Sequence, residues 1–97
     1  EISKFPEVRR DLSLVLDKKV TFNEIKALTL KTERKLISSI NVFDVYEGDN
    51  LGEGKKSYSV SYILEDQNQT LKDKVIDKVM NKLIDVYEKE LNAIIRR

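Results

Sequence analysis

Residues 37–64 read ISSINVFDVYEGDNLGEGKKSYSVSYIL, with all three glycines of the chain lying between two runs rich in β-branched and aromatic residues. Such runs suit a pleated, half-buried backbone. In the second run, 56–64, Tyr58, Val60, Tyr62 and Leu64 take one parity. Ser57, Ser59 and Ser61 take the other, which ends in Ile63. A period of two with one apolar face is a strand. In the first run, 37–47, the apolar parity shifts from Ile40 and Val42 to Phe43 and Val45. One extra residue near Val42, a bulge or a bend, accounts for that shift. Residues 48–54 then read as a hairpin loop between two antiparallel strands.

Outward on the N-terminal side, Thr21-Phe22-Asn23-Glu24 is a capping box. The Thr hydroxyl can accept from the N–H of residue 24, and the Glu carboxylate can reach back to the N–H of Thr21. Phe22, Ile25, Leu28 and Thr29 follow at helical spacing, so a helix is predicted over 22–34. Before it, Leu12, Leu14 and Leu16 alternate with Asp11, Ser13 and Val15, which predicts a strand over 8–16. Pro6 stands just ahead, where a missing N–H costs least. On the C-terminal side, 65–69 is a polar loop. Thr70 with Asp73 three residues on reads as an N-cap. Leu71, Val75, Ile76, Val79, Met80, Leu83, Ile84 and Tyr87 form one apolar stripe, with lysines and aspartates opposite. That is a long amphipathic helix, 71–88. Residues 91–95 can close the fold as a fourth strand. The order is therefore strand, helix, strand, strand, helix, strand. The fold expected is α+β and ferredoxin-like, βαββαβ: a four-stranded antiparallel sheet with two helices on one face and the other face open.

Ninety-seven residues, 40% of them hydrophobic, make one domain with one core. Eighteen basic residues face 17 acidic ones, a net charge of +1. A protein that holds nucleic acid by bulk positive charge is thereby excluded, though not a small basic patch. There is no Cys and no His, hence no disulfide, no thiolate nucleophile, no imidazole base and no Cys/His zinc site. No apolar run approaches the length of a membrane span, and no signal peptide is visible. The absence of Cys fits the cytoplasm. The chain opens on Glu1 rather than Met. It is read as a single domain, 1–97, cut from a longer protein.

With the leucine face of the first strand under the helices, Ser13 points outward. With Phe43 and Val45 inward, Asp44 and Tyr46 point outward. With Tyr58 and Tyr62 inward, Ser57 and Ser59 point outward. Lys55 and Lys56 lie at the loop edge of this open surface. An exposed Tyr can stack on an unpaired base. A carboxylate can accept from the N1–H and the exocyclic amine of guanine, a donor pair that no other standard base presents on that edge. Hydroxyls serve as donor or acceptor, and lysines meet phosphate. The bland alternative is a solvated polar sheet face. Of Arg9 and Arg10, adjacent in a strand, at most one can share this face. Gly48 and Gly54 with Lys55, Lys56 and Ser57 mimic a phosphate-binding loop, but their spacing is wrong and a strand follows instead of a helix. Lys56 to Tyr62 mimic the RNA-recognition-motif rhythm, yet Ser57 and Ser59 stand where outward aromatics belong. Asp44 and Glu47 differ in parity and have no accompanying nucleophile, so no catalytic site is expected.

Three blocks carry a resemblance. They are Phe5-Pro6-x-x-Arg9-Arg10-Asp11-Leu12-Ser13, Phe43-Asp44-Val45-Tyr46-x-Gly48 with Leu51-Gly52-x-Gly54-Lys55-Lys56-Ser57, and Thr70-Leu71-x-Asp73. In order and spacing the chain resembles the ferredoxin-fold anticodon-binding domain that ends the beta subunit of bacterial phenylalanyl-tRNA synthetase. The resemblance implies a non-catalytic domain that docks on the anticodon stem-loop of the phenylalanine tRNA. It implies partners in the rest of the beta subunit and in the alpha subunit, and ATP and magnesium used elsewhere in the parent, with no cofactor in this domain. It assigns the grip on the first anticodon base, a guanine, to Ser13, Asp44, Tyr46 and Ser57. Arg9, Arg10, Lys55 and Lys56 complete the expected RNA-binding set, and no membrane partner is expected. The alternative reading is a regulatory domain of the same fold that binds a small amino-acid ligand; a purely structural module ranks third.

Overall fold

The structure, a computed structural model, describes residues 5–96. Glu1 and Arg97, the ends of the domain as read from sequence, lie outside them. The leucine alternation becomes β1 (Val8–Asp17), paired along its whole length with β3 (Lys55–Leu64), from Val8 opposite Leu64 to Asp17 opposite Lys55. β2 (Ile37–Tyr46) pairs with the other edge of β3, and β4 (Ile94–Arg96) with the other edge of β1. Every pairing is antiparallel, and the sheet order is β2-β3-β1-β4. The fold is the expected ferredoxin-like βαββαβ. The bulge is present: Val42 faces Val60 and Asp44 faces Ser59, which leaves Phe43 over as the extra residue. A second irregularity lies between Ile37 and Ser39, where Ile37 and Ile40, three residues apart and so of opposite parity, are both buried.

α1 (Phe22–Thr32) starts on the capping box as read. Thr21 Oγ1 accepts from the Glu24 N–H at 3.2 Å, and Glu24 Oε2 accepts from the Thr21 N–H at 2.7 Å. α2 (Asp73–Leu91) corrects the reading at both ends. Thr70 is not its cap. The N–H groups of Val75 and Ile76 reach the Lys72 carbonyl instead, and Leu71 packs on the core just ahead of the helix. At the far end Leu91 is still helical and packs on the core. Asn92 then turns the chain at φ 52°, a left-handed conformation that Asn tolerates. The fourth strand therefore starts three residues later than residue 91.

Both helices cover one face. Leu12, Leu14 and Leu16 meet Tyr58, Val60, Tyr62 and Leu64 from the sheet, with Ile25, Ile76, Val79, Met80, Leu83 and Tyr87 above them, all buried. Val75, placed in the apolar stripe by periodicity, lies at its margin and stays exposed. Buried hydroxyls join the layers in a chain. Tyr62 and Tyr87 bond at 3.0 Å, Tyr87 bonds Thr29, and Thr29 Oγ1 donates to the Ile25 carbonyl at 2.7 Å. Burial raises the pKa of both tyrosines above the ordinary phenol value. Tyr62 is pushed further by the neighbouring Tyr87, whereas in Tyr87 the bonds from Thr29 and Tyr62 partly offset the rise. No helix among the described residues is long and apolar enough to cross a membrane.

Candidate nucleic-acid interface

Residues paired directly across a sheet share a face. The register therefore aligns Asp44, Ser59 and Ser13 in one row across β2, β3 and β1, and Tyr46, Ser57 and Val15 in the next. Both rows lie on the face away from the helices. The bulge decides this. In an unbroken strand Asp44 would share the side of Val42, whose partner Val60 is fully buried under the helices. The extra residue turns both Asp44 and Tyr46 outward. Ser13, Ser57 and Ser59 are half-buried, and the hydroxyls of Ser13 and Ser59 stand 3.5 Å apart. Asp44 is exposed, with no hydrogen-bonding or ionic partner for its carboxylate among the described residues.

Tyr46 is held in place. Its hydroxyl donates to Asn50 Oδ1 at 3.1 Å, across the turn that contains the short 3-10 helix Asp49–Leu51. Its ring lies against Gly48, so closely that a Cβ there would come within 2.6 Å of the ring carbon Cζ. The residue stays 48% exposed. The turn thus gives the side chain a fixed orientation in the free protein.

The cations divide by parity. Arg9 is on the open face. Its Nε bonds Asp11 at 2.9 Å, and its guanidinium lies 5.5 Å from the ring centre of Phe43. Arg10 faces the helix side, opposite Tyr62, beside Leu12, Asp77 and Met80. Lys56 also faces that side, opposite Leu16, with its ammonium 4.7 Å from the Tyr58 ring centre. Lys55, opposite Asp17, keeps the parity of Ser57 at the loop end of the open face. The face therefore gathers Ser13, Asp44, Tyr46, Ser57, Arg9 and Lys55, and it does not gather Arg10 or Lys56.

Three contributors escaped the reading of the sequence. Arg96 pairs with Ser13 and ends the Asp44 row. Gly48 makes room for the Tyr46 ring. Phe43, expected inward with Val45, is 55% exposed and meets Arg9. As the extra residue of the bulge it has no slot in the covered layer. Val45 does share the side of Tyr58, yet at the end of an edge strand it is 50% exposed. The broken alternation located the bulge, but not which residue it would expel.

Beside these geometric facts stand the similarities to known proteins. Residues 3–96 match the sequence profile of the family described as the ferredoxin-fold anticodon binding domain. The chain is 57% identical over 96 residues to the phenylalanine–tRNA ligase beta subunit of Bacteroides fragilis, and 56% identical to that of Bacteroides thetaiotaomicron. It is 36% identical to that of Aquifex aeolicus. Each comparison covers 99% of this chain and 12% of the relative, so the chain spans about an eighth of the length of the curated relatives it matches.

Proposed function

This chain belongs to the ferredoxin-fold anticodon binding domain family, and on that premise we propose that its open sheet face binds the anticodon stem-loop of a phenylalanine tRNA. The observation that carries the reading is the bulge after Val42. It puts the Asp44 carboxylate, which has no partner among the described residues, and a braced aromatic, Tyr46, outward beside a row of serines. Asp44 accepts two hydrogen bonds from the N1–H and amine of a guanine, charge-assisted and directional. Tyr46 stacks on a loop base. Ser13, Ser57 and Ser59 adjust as donors or acceptors, and Arg9 and Lys55 meet phosphates. Arg10 and Lys56, on the helix side, are not needed for this contact.

In this proposal the chain is a non-catalytic part of a phenylalanine–tRNA ligase beta subunit, acting in the cytoplasm with the rest of that subunit and an alpha subunit. Activation of phenylalanine with ATP and magnesium falls to other parts of the parent. Among the described residues no three His, Cys, Asp or Glu side chains gather.

Fluorescence anisotropy with a labelled phenylalanine-tRNA anticodon hairpin tests the reading. Asp44→Asn should cut the preference for guanine over adenine at the first anticodon position about tenfold, the worth of one good directional pair. Tyr46→Ala should weaken binding by about 1–3 kcal/mol whatever that base is. Unchanged binding in both variants would sink the assignment.

A further inference from the structure

Phe43 is the most exposed aromatic of the chain and stands one residue before the guanine-reading carboxylate, on the same side of the sheet as Arg9. A bulge residue costs ladder pairing. An aromatic in that position, half out of the protein, spends its apolar area on solvent. The helix-covered core gains nothing from it, since Phe43 takes no part in that cluster.

We infer that Phe43, with Arg9 beside it, is a second stacking platform, for an unpaired base that flanks the guanine in the same RNA loop. The inference rests on the reading that the open face binds such a loop. Continuity supports it: Phe43, Asp44 and Tyr46 follow one another along the outer strand, one flat ring on each side of the carboxylate. Three residues along a strand span on the order of 10 Å. That exceeds the ~3.4 Å rise between stacked bases of one strand. The two rings therefore suit splayed bases, as single-stranded loops present them. Charge supports it as well. Arg9 lies against the Phe43 ring, where the phosphate of a base stacked there would pass. Its present partner, Asp11, forms an exposed pair of the kind that contributes little and exchanges readily.

The same hairpin RNA provides the test, together with versions that carry one abasic residue on either side of the guanine. Phe43→Ala should weaken binding to the intact hairpin about fivefold or more. Phe43→Leu, which keeps apolar bulk and loses the flat ring, should also weaken it. On one of the two abasic hairpins Phe43→Ala and the unaltered chain should bind alike, while Tyr46→Ala still binds more weakly. Arg9→Gln should lower the slope of log K against log salt by about one. Circular dichroism melting confirms that each variant folds.

Intact affinity in Phe43→Ala overturns the inference and turns the ring toward a protein partner. A loss in Phe43→Ala that persists on both abasic hairpins also overturns it, because no flanking base is then involved. If Tyr46→Ala and Asp44→Asn weaken binding while Phe43→Ala does not, the second platform alone fails. If the unaltered chain does not bind the hairpin, the reading of the whole face fails with it.

Discussion

At the scale of the residue, the most informative position is one without a side chain. Gly48 has no positive φ that would require glycine. Its need is steric, since any Cβ collides with the Tyr46 ring. Gly48→Ala should swing that ring off the turn and break its bond to Asn50. The melting temperature should hardly change, because neither residue belongs to the core, while hairpin affinity should fall toward that of Tyr46→Ala. Binding equal to the unaltered chain would show that the brace does not matter. Asp44 and Tyr46 were legible in the sequence because alternation is a one-dimensional signal, and one slip in it turns two side chains over. The brace was not legible. That Tyr46 folds back on Gly48 depends on the three-dimensional path of the turn.

At the scale of the element, the two helices differ in how much their ends reveal. α1 begins on a reciprocal cap in which both hydrogen bonds are local, so the motif alone predicts it. Thr21→Ala removes the acceptor of the Glu24 N–H and should cost about 0.5–2 kcal/mol. In a domain of this size that is a fall of roughly 4–8 °C per kcal/mol in a thermal melt. No fall would mean that tertiary packing alone sets the start of α1. α2 has no side-chain cap bond, and the start at Leu71, with Thr70 as cap, that the Thr70–Asp73 spacing suggests is displaced to Asp73. Tertiary packing bears there: Leu71 packs on the core just ahead of the helix. The same holds where α2 overruns its predicted end. Leu91 packs on the core from within the helix, and Asn92 then makes the turn.

At the scale of the whole molecule, the hydroxyl chain through Thr29, Tyr87 and Tyr62 links α1, α2 and β3, and it gives the fold a pH limit. An unfolded phenol loses its proton near pH 10. The folded phenols hold theirs to higher pH. Stability from this source is therefore complete below pH 10 and is lost as the pH rises above it, because the unfolded chain releases protons first. Urea melts should show stability falling between pH 10 and 11, and Tyr62→Phe should flatten that fall. An equal fall in the variant would place the limit elsewhere. The near-zero net charge of +1 reads differently once placed on this fold: Arg9 on the open face is partnered by Asp11, and Asp44 faces outward with no partner among the described residues. By itself the sequence determined the order and kind of the elements, the helix-covered core and the existence of a bulge, since periodicity and local caps depend on near neighbours along the chain. Only the tertiary structure decided that Arg9 and not Arg10 shares the face with Asp44, that Lys56 turns away, and that Phe43 is expelled beside the site. Those outcomes depend on which strand lies next to which and in what register, and that is a property of contacts far apart in sequence.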